Sequence, residues 1–454
     1  MAIFARPVRK NFLMGACAVK PAEIQAFSTR EKAKIKNLSD IYVGASESFE
    51  KNSERASKLF LRRQRRRNGF GASQETRKKM LMSCEEIDIL RLLWQCRCID
   101  RDDLEKAFSK TTLDDLLSAR LIRKLRARNA LVLTEQSKEL LKQSFDDLPE
   151  DVQLAYRAGD IDRRIRLAQL TLTAYRAGLS INARDILSLQ TGGTFFLPSV
   201  MRKRGMNPWS NSRVGALLRL GDQLCAAHYV CPDIGNILLT EELNTFTNNT
   251  AQIKNIRRSF LFAGESYETI LAVLKETPSE KDNQLVSYAD AYRKLRLPVH
   301  LLPCNDTGAL QLQIMATQNY RKRLTLAALK AQYAEAPKEQ PEWDAMFRGM
   351  PFVMAADMDF KRLGTAIKAA RAAGQKQVAL ACLEEQARAV YFPYYRDKGL
   401  ARVFILADHA IEEALGHPTT LYVPKRKPYE TKEGDVIYAP LIQTARKAGR
   451  PHRE

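Results

Sequence analysis

Residues 349–410 alternate between two apolar patterns, and that alternation constrains the fold more than any other feature of the chain. "MPFVMAA", "QVALACL" and "ARVFILA" are short, nearly continuous apolar runs. Between them, "DMDFKRLGTAIKAARAAG" reads as a loop and helix, and "EEQARAVYFPYYRD" as a helix. A run that is apolar throughout suits a strand buried on both faces. Strand, helix, strand, helix, strand with short connections predicts parallel pairing.

A second ordered block begins at Ser83. "SCEEIDILRLLWQCRC" starts with Ser and carries Glu86 three residues on, a capping box, with Ile87, Leu90, Trp94 and Cys98 following at helical spacing. "DRDDLEKAF" predicts a second short helix, with Asp100 as its N-cap. "SKTTLDDLLSARL" predicts a third, in which Leu113, Leu116, Leu117 and Leu121 keep the i, i+3, i+4 pattern. "IRKLRA", "RN" and "ALVLT" then read as a hairpin, and Thr134 as the cap of a helix over "EQSKELLKQSF". Three helices, a two-stranded wing and a fourth helix are the layout of a winged helix, a helix-turn-helix variant.

The rest of the chain is less regular. "DRRIRLAQLTLTAYRAGL" predicts a helix, the Gly, Pro and Asn content after it predicts loops and short strands, "LCAAHYVC" predicts a strand and "NTAQIKNIRRSFLF" a helix. "LPVHLLP" reads as a short buried strand, "PKEQPEW" as a surface loop and "GESYETIL" as a turn entering a helix. No repeat of fixed period stands out. The expected fold class is therefore α/β and multidomain. A basic, largely extended arm over 1–82 precedes a winged helix over 83–148. A larger α/β region with a parallel sheet, possible as two subdomains, covers 160–415, and a basic, Pro-rich tail covers 416–454.

Charge is concentrated at the two ends. The chain carries a formal +21, and residues 1–80 hold 19 Lys and Arg against 7 Asp and Glu, an excess of +12. Residues 421–454 hold 8 against 4, leaving +5 for 81–420. Basic arms of this kind meet a polyanion, a nucleic acid or an anionic membrane surface. "RRQRRR", with Arg62, Arg63, Arg65, Arg66 and Arg67, would cover every face of a helix with guanidinium and would fold best against phosphate. No apolar run reaches the roughly 18 residues that span a bilayer, so no membrane partner is expected. The first thirty residues do not read as a secretory signal. They loosely fit a mitochondrial transit peptide, but Pro7 and Pro21 interrupt the helix such a peptide needs. The eight cysteines are scattered, and only Cys96 and Cys98 stand close, without a second pair at zinc-site distance. Scattered thiols fit a reducing cytosol, and no structural metal and no cofactor are expected.

The wing is the sharpest chemical feature. Arg123, Lys124, Arg126 and Arg128 lie within six positions and suit contact with phosphates or the minor groove. The third helix offers Ser109, Lys110, Thr111 and Thr112 near its start, but Asp114 and Asp115 follow. Either these acids face away from a groove, or the unit docks a protein. Early-turn Asp also favours the helix dipole. Asp233, Glu241 and Glu242 superficially fit a metal-dependent nuclease, but the lysine of a Glu-x-Lys pair is missing, and exposed loop acids are expected. Asp357 and Asp359 stand at the carboxyl end of a strand, where α/β sheets bind ligands. Without a phosphate-cradling Gly loop before them, helix capping is the expected role. Gly192, Gly193 and Thr194 are too short a segment for a nucleotide loop. Neither His228 nor His300 has a Ser, Cys or Asp at triad spacing. No catalytic constellation stands out, so an enzymatic activity is not the expectation.

Through "EEIDILRLLWQCRCIDRDDLEKAF", "LLSARLIRKLRA" and "LVLTEQSKELL" the chain resembles the replication-relaxation family, DNA-binding proteins of plasmids and integrative mobile elements. The resemblance covers about 60 residues well. It implies a winged helix joined to a larger α/β region, a bacterial cytoplasm and the DNA of a mobile element. It implies DNA contact at Thr111, Thr112, Arg123, Lys124, Arg126 and Arg128. The acidic third helix and the long basic arm depart from it. The leading expectation is a DNA-binding accessory or regulatory protein in replication, relaxation or transfer. It binds duplex DNA through wing and arm, with the α/β region as a protein-partner or self-association surface. Two alternatives stay open: a nuclease-like or nucleotide-dependent enzyme guided by the winged helix, and a structural component of a ribonucleoprotein assembly.

Overall fold

The computed structural model describes residues 79–125, 128–148, 158–181, 193–196, 215–230, 246–248, 250, 256–275 and 295–440. The chain divides between Thr76 and Arg77, and every described residue belongs to the second unit. The arm with Arg62, Arg63, Arg65, Arg66 and Arg67 lies outside the described residues, as do Arg126, Asp233, Glu241, Glu242 and the last part of the tail, 441–454.

Strand β1 (Lys79–Leu81) leads into helix α1 (Cys84–Cys96). The Ser83 backbone N–H donates to Glu86 Oε2 at 2.6 Å, and the Glu86 N–H returns to Ser83 Oγ at 3.3 Å. This reciprocal cap satisfies two of the helix's orphan donors and contributes about 1 kcal/mol. Next come β2 (Ile99–Asp100), α2 (Arg101–Ala107), α3 (Lys110–Ser118), β3 (Ile122–Lys124), β4 (Ala130–Leu133) and α4 (Glu135–Ser144). Asp100 caps α2 through the Asp102 N–H, and Thr134 caps α4 through the Ser137 N–H. The three strands form an antiparallel sheet in the order β2-β4-β3.

Helix α5 (Ala158–Arg176) connects this block to a five-stranded mixed sheet. There β5 (Thr194–Phe196), β6 (Ala216–Leu220) and β7 (Gln223–Tyr229) pair antiparallel, and β7, β8 (Arg257–Gly264) and β9 (Val299–Pro303) pair parallel. The helix expected over "NTAQIKNIRRSFLF" is thus a strand from Arg257 onward; 251–255 lie outside the described residues. Phe260, Leu261, Phe262 and Ala263 are each fully buried. Four successive buried positions suit a central strand covered on both faces, and pairing with two neighbours overrides local preference.

Helix α6 (Tyr267–Lys275) follows β8, and α7 (Asp306–Ala316) and α8 (Tyr320–Leu329) follow β9. The sequence reading assigns no helix to 306–329. In "ALQLQIM" the apolar residues alternate with Gln, a period of two that hides a helix buried on most sides. A second mixed sheet has the order β10-β11-β12-β13, formed by β10 (Ala345–Phe347), β11 (Met350–Met354), β12 (Val378–Cys382) and β13 (Ala401–Ile405). The last three strands pair in parallel, with Val353 opposite Leu380 and Leu380 opposite Val403. Helix α9 (Phe360–Ala372) joins the first two, and α10 (Glu384–Gln386) continues as a π-helix, Ala387–Arg396, before β13. Pro393 lies inside that π-helix and lacks the N–H an α-helix would use. The chain then forms α11 (Asp408–Leu415) and runs back to the first block, where β14 (Tyr438–Pro440) pairs antiparallel with β1.

Two large apolar clusters hold these layers together. One joins Leu90, Leu116 and Leu131 to Leu218, Leu312, Leu324 and Ile411, so the first block shares a core with the α/β region. The other packs α6, α9 and the π-helix on the opposite side of the strands, around Phe262, Leu363, Leu380 and Tyr391. Among the described residues no helix is long and apolar enough to cross a membrane.

Candidate nucleic-acid interface

The hairpin is held on both of its faces. Ile122, Leu131 and Leu133 enter the large cluster against the helices. On the other side Leu125, Ala130 and Val132 pack with Cys98 and with Ile161 and Ile165 of α5. Near the hairpin tip, Arg128 pairs with Asp162 of α5 at 3.0 Å. The Thr134 hydroxyl donates to the Arg120 carbonyl at 2.8 Å, anchoring the hairpin's exit to its entry. Among the described residues of the hairpin, Arg128 at the tip is exposed although paired, and Arg123 and Lys124 are exposed on the edge strand β3.

The start of α3 is engaged from within. Glu85 is 3% exposed and accepts from the Ser109 N–H and the Thr112 hydroxyl, both at 2.7 Å, while Arg426 of the returning tail lies 3.2 Å from the same carboxylate. Thr112 therefore spends its hydroxyl on a neighbouring helix. Thr111 is exposed, on a face it shares with Lys110, Asp114, Asp115 and Ser118, because Leu113 and Leu116 point into the core. Asp114 accepts from Arg101 at 3.0 Å. The two acids thus lie on the exposed face of α3. A duplex backbone would meet them there with like charge and without compensation beyond Lys110 and Arg101.

No protein-family model, no curated protein and no solved structure matches this chain. Its chemistry is therefore read from its own geometry.

At the carboxyl ends of the parallel strands, Asp357 and Asp359 are buried and spoken for. The Asp357 carboxylate accepts from Arg321 Nε at 2.8 Å and from the Tyr320 hydroxyl at 2.6 Å, and Arg321 also approaches Asp359 at 3.5 Å. Burial would raise the Asp357 pKa, but the Arg321 guanidinium, with Arg362 and Tyr320, holds it well below the usual carboxylate range. Asp359 caps α9 by accepting from the Arg362 N–H at 3.1 Å. His300 donates from Nδ1 to the Asp357 carbonyl at 2.8 Å, so it serves the same structural joint. Among the described residues no group of three or more His, Cys, Asp and Glu side chains is arranged to hold a metal ion.

His228 lies in β7 beside Phe260 and Phe262, and burial pushes its pKa down to about 4. Burial likewise pushes the Cys96, Cys225 and Cys304 thiols up to about 12, which makes them poor nucleophiles at neutral pH. A cleft of about 530 Å³ opens at the same carboxyl ends, bordered by Leu383, Glu384, Glu385, Arg388, Leu406 and Asp408. Sequence reasoning missed Glu85, Arg321 and Asp162. Each is a charged residue whose partners lie 24 or more positions away, and no local spacing signals such a contact.

Proposed function

We propose that this protein is a nucleic-acid-binding accessory factor that grips the phosphate backbone of duplex DNA along the edge of a winged helix, without inserting its third helix into a groove. The observation that carries this reading is the exposure of Arg123 and Lys124 on edge strand β3, on a hairpin braced behind by α5. A braced cationic edge holds its charges in fixed register, which favours contact with a regularly spaced polyanion. The winged-helix assignment draws support from the element order α1, β2, α2, α3, β3, β4 and the antiparallel order β2-β4-β3. Asp114 and Asp115 argue for backbone contact over base reading, so sequence preference should be weak. An accessory role on a plasmid or integrative element follows only from the resemblance of residues 83–148.

The test is binding of the full-length chain to random-sequence duplex DNA across a salt series, with a structured RNA pool in parallel. Replacing Arg123 and Lys124 by Ala should weaken DNA binding and flatten the log–log salt slope by about 2, since each phosphate contact contributes about 0.9. Unchanged affinity and slope would remove the hairpin from the interface. Stronger retention of structured RNA would favour a ribonucleoprotein role.

A second reading, in which the exposed face of α3 docks a basic protein segment, is favoured by Asp114 and Asp115. Asp114→Asn with Asp115→Asn separates the two: it should strengthen DNA binding under the first reading and abolish partner capture under the second.

A further inference from the structure

Strand β13 closes one edge of the second sheet, and no strand among the described residues pairs with its outer side. Most other edge strands among the described residues are two or three residues long, whereas β13 has five. The remaining five-residue edge, β9, is met on its outer side by Asp359, which bridges to His300. The Leu406 N–H donates to the Cys382 carbonyl, and the Val378 N–H to the Leu400 carbonyl. Backbone groups of even-numbered residues in 400–406 therefore face β12, and those of Ala401, Val403 and Ile405 face outward. Among the described residues no hydrogen bond reaches those outward groups. Phe404 and Ile405 are 40% and 47% exposed. Beside them is a small apolar hollow lined by Phe347, Leu406 and Ala410. An apolar, unpaired edge of this length is a template for another strand.

Charge around β13 is ordered along its length. Arg396, Lys398 and Arg402 stand at its amino end against Asp397 alone. Glu384, Glu385 and Asp408 stand at its carboxyl end against Arg388, around the same cleft as Ile405 and Leu406. We propose that this edge is a self-association surface on which two copies of the chain pair antiparallel about Val403, joining two four-stranded sheets into one of eight strands. Antiparallel pairing sets the basic end of each copy against the acidic end of the other. Centring on Val403 makes it a hydrogen-bonded pair with its own copy, using the outward N–H and C=O. It also puts Arg402 directly opposite Phe404 of the second copy, where a guanidinium can lie on an aromatic face. A two-fold axis midway between the two copies of Val403 makes the contact self-complementary, as an isologous dimer requires. This inference does not depend on the nucleic-acid reading.

The test is sedimentation equilibrium of the nuclease-treated, full-length chain from about 1 to 100 µM, a range that brackets a micromolar dimer. A dimer is expected. Val403→Pro removes an outward N–H and leaves the hydrogen bonds to β12 in place, at the cost of some packing of a partly buried side chain, so it should raise the dissociation constant at least about tenfold with the circular dichroism spectrum unchanged. Lys398→Glu and Asp408→Lys should each weaken the dimer, and the two together should restore it, which keeps the proposal testable if the proline variant does not fold. A monomer throughout the range overturns the proposal, as does a charge-swapped pair that fails to recover association.

Discussion

Arg321 Nε donates to Asp357 Oδ2 at 2.8 Å, and the Tyr320 hydroxyl reaches the same oxygen at 2.6 Å. One fully buried carboxylate after β11 thereby ties down the start of α8. Removing Arg321 leaves the buried Asp357 charge with only the Tyr320 hydroxyl and the more distant Arg362, and removing the Asp357 charge leaves Arg321 with only the long contact to Asp359. Arg321→Met should destabilise the fold by about 3–5 kcal/mol, and Asp357→Asn by a similar amount, measured by urea unfolding.

The same pair fixes an acid limit. Asp357 titrates below its ordinary value of 3.8 in the folded state, so its contribution is complete above that pH and is lost as pH falls through the folded value. Melting temperature in wild type should drop more steeply below about pH 4 than in Asp357→Asn. Parallel curves for the two proteins would contradict this.

His228 sets a separate, milder window. Its pKa falls from 6.5 to about 4 on burial. Between those values the unfolded chain binds the proton and the native chain does not, so stability decreases by about 3 kcal/mol as pH drops from 6.5 to 4, and His228 changes it no further below that. His228→Leu should abolish that slope between pH 6.5 and 4 while leaving the steeper loss below pH 4 in place.

Gly308 lies in the first turn of α7, where an added Cβ would sit 1.8 Å from the Pro303 carbonyl oxygen. The obstacle is backbone at the end of β9 and cannot rotate away. Gly308→Ala should cost about 3 kcal/mol or prevent folding. Gly364 in α9 meets nothing within 4 Å, so Gly364→Ala should stabilise the fold by about 0.5–1 kcal/mol, a contrast readable in one set of thermal melts.

Glu85 joins α1 to α3 through Ser109 and Thr112. Glu85→Ala leaves two donors without their acceptor and should cost about 1–3 kcal/mol. Thr112→Val should destabilise by less and, under the proposed DNA-binding reading, leave DNA affinity unaltered, since its hydroxyl already faces the protein. A selective loss of DNA binding in Thr112→Val at unchanged stability would return that residue to the interface.

Much of the local structure was legible because it rests on short-range chemistry. The Ser83–Glu86 capping box, the Asp100 and Thr134 caps, and the strands after Met350, Val378 and Ala401 all depend on residues within a few positions of each other. Where local patterns misled, the cause was burial on both sides. β8 read as helix and α7 as nothing regular, because an element enclosed by neighbours has no polar face to reveal its period.

The sequence by itself determined the helix caps, the parallel strand series of 349–410 and the separation of charge toward the chain ends, since each is written in composition and near-neighbour spacing. Only the tertiary structure decided what the charged residues do. It set Glu85 under α3, closed Arg321 on Asp357, and backed the hairpin with α5, which takes Arg128 into an ion pair with Asp162 and leaves Arg123 and Lys124 exposed on β3. Among the described residues it also left β13 an edge strand. These outcomes depend on which distant segments meet, and the apolar contacts that bring them together are interchangeable among Leu, Ile and Val, so they carry no address in the linear order of residues.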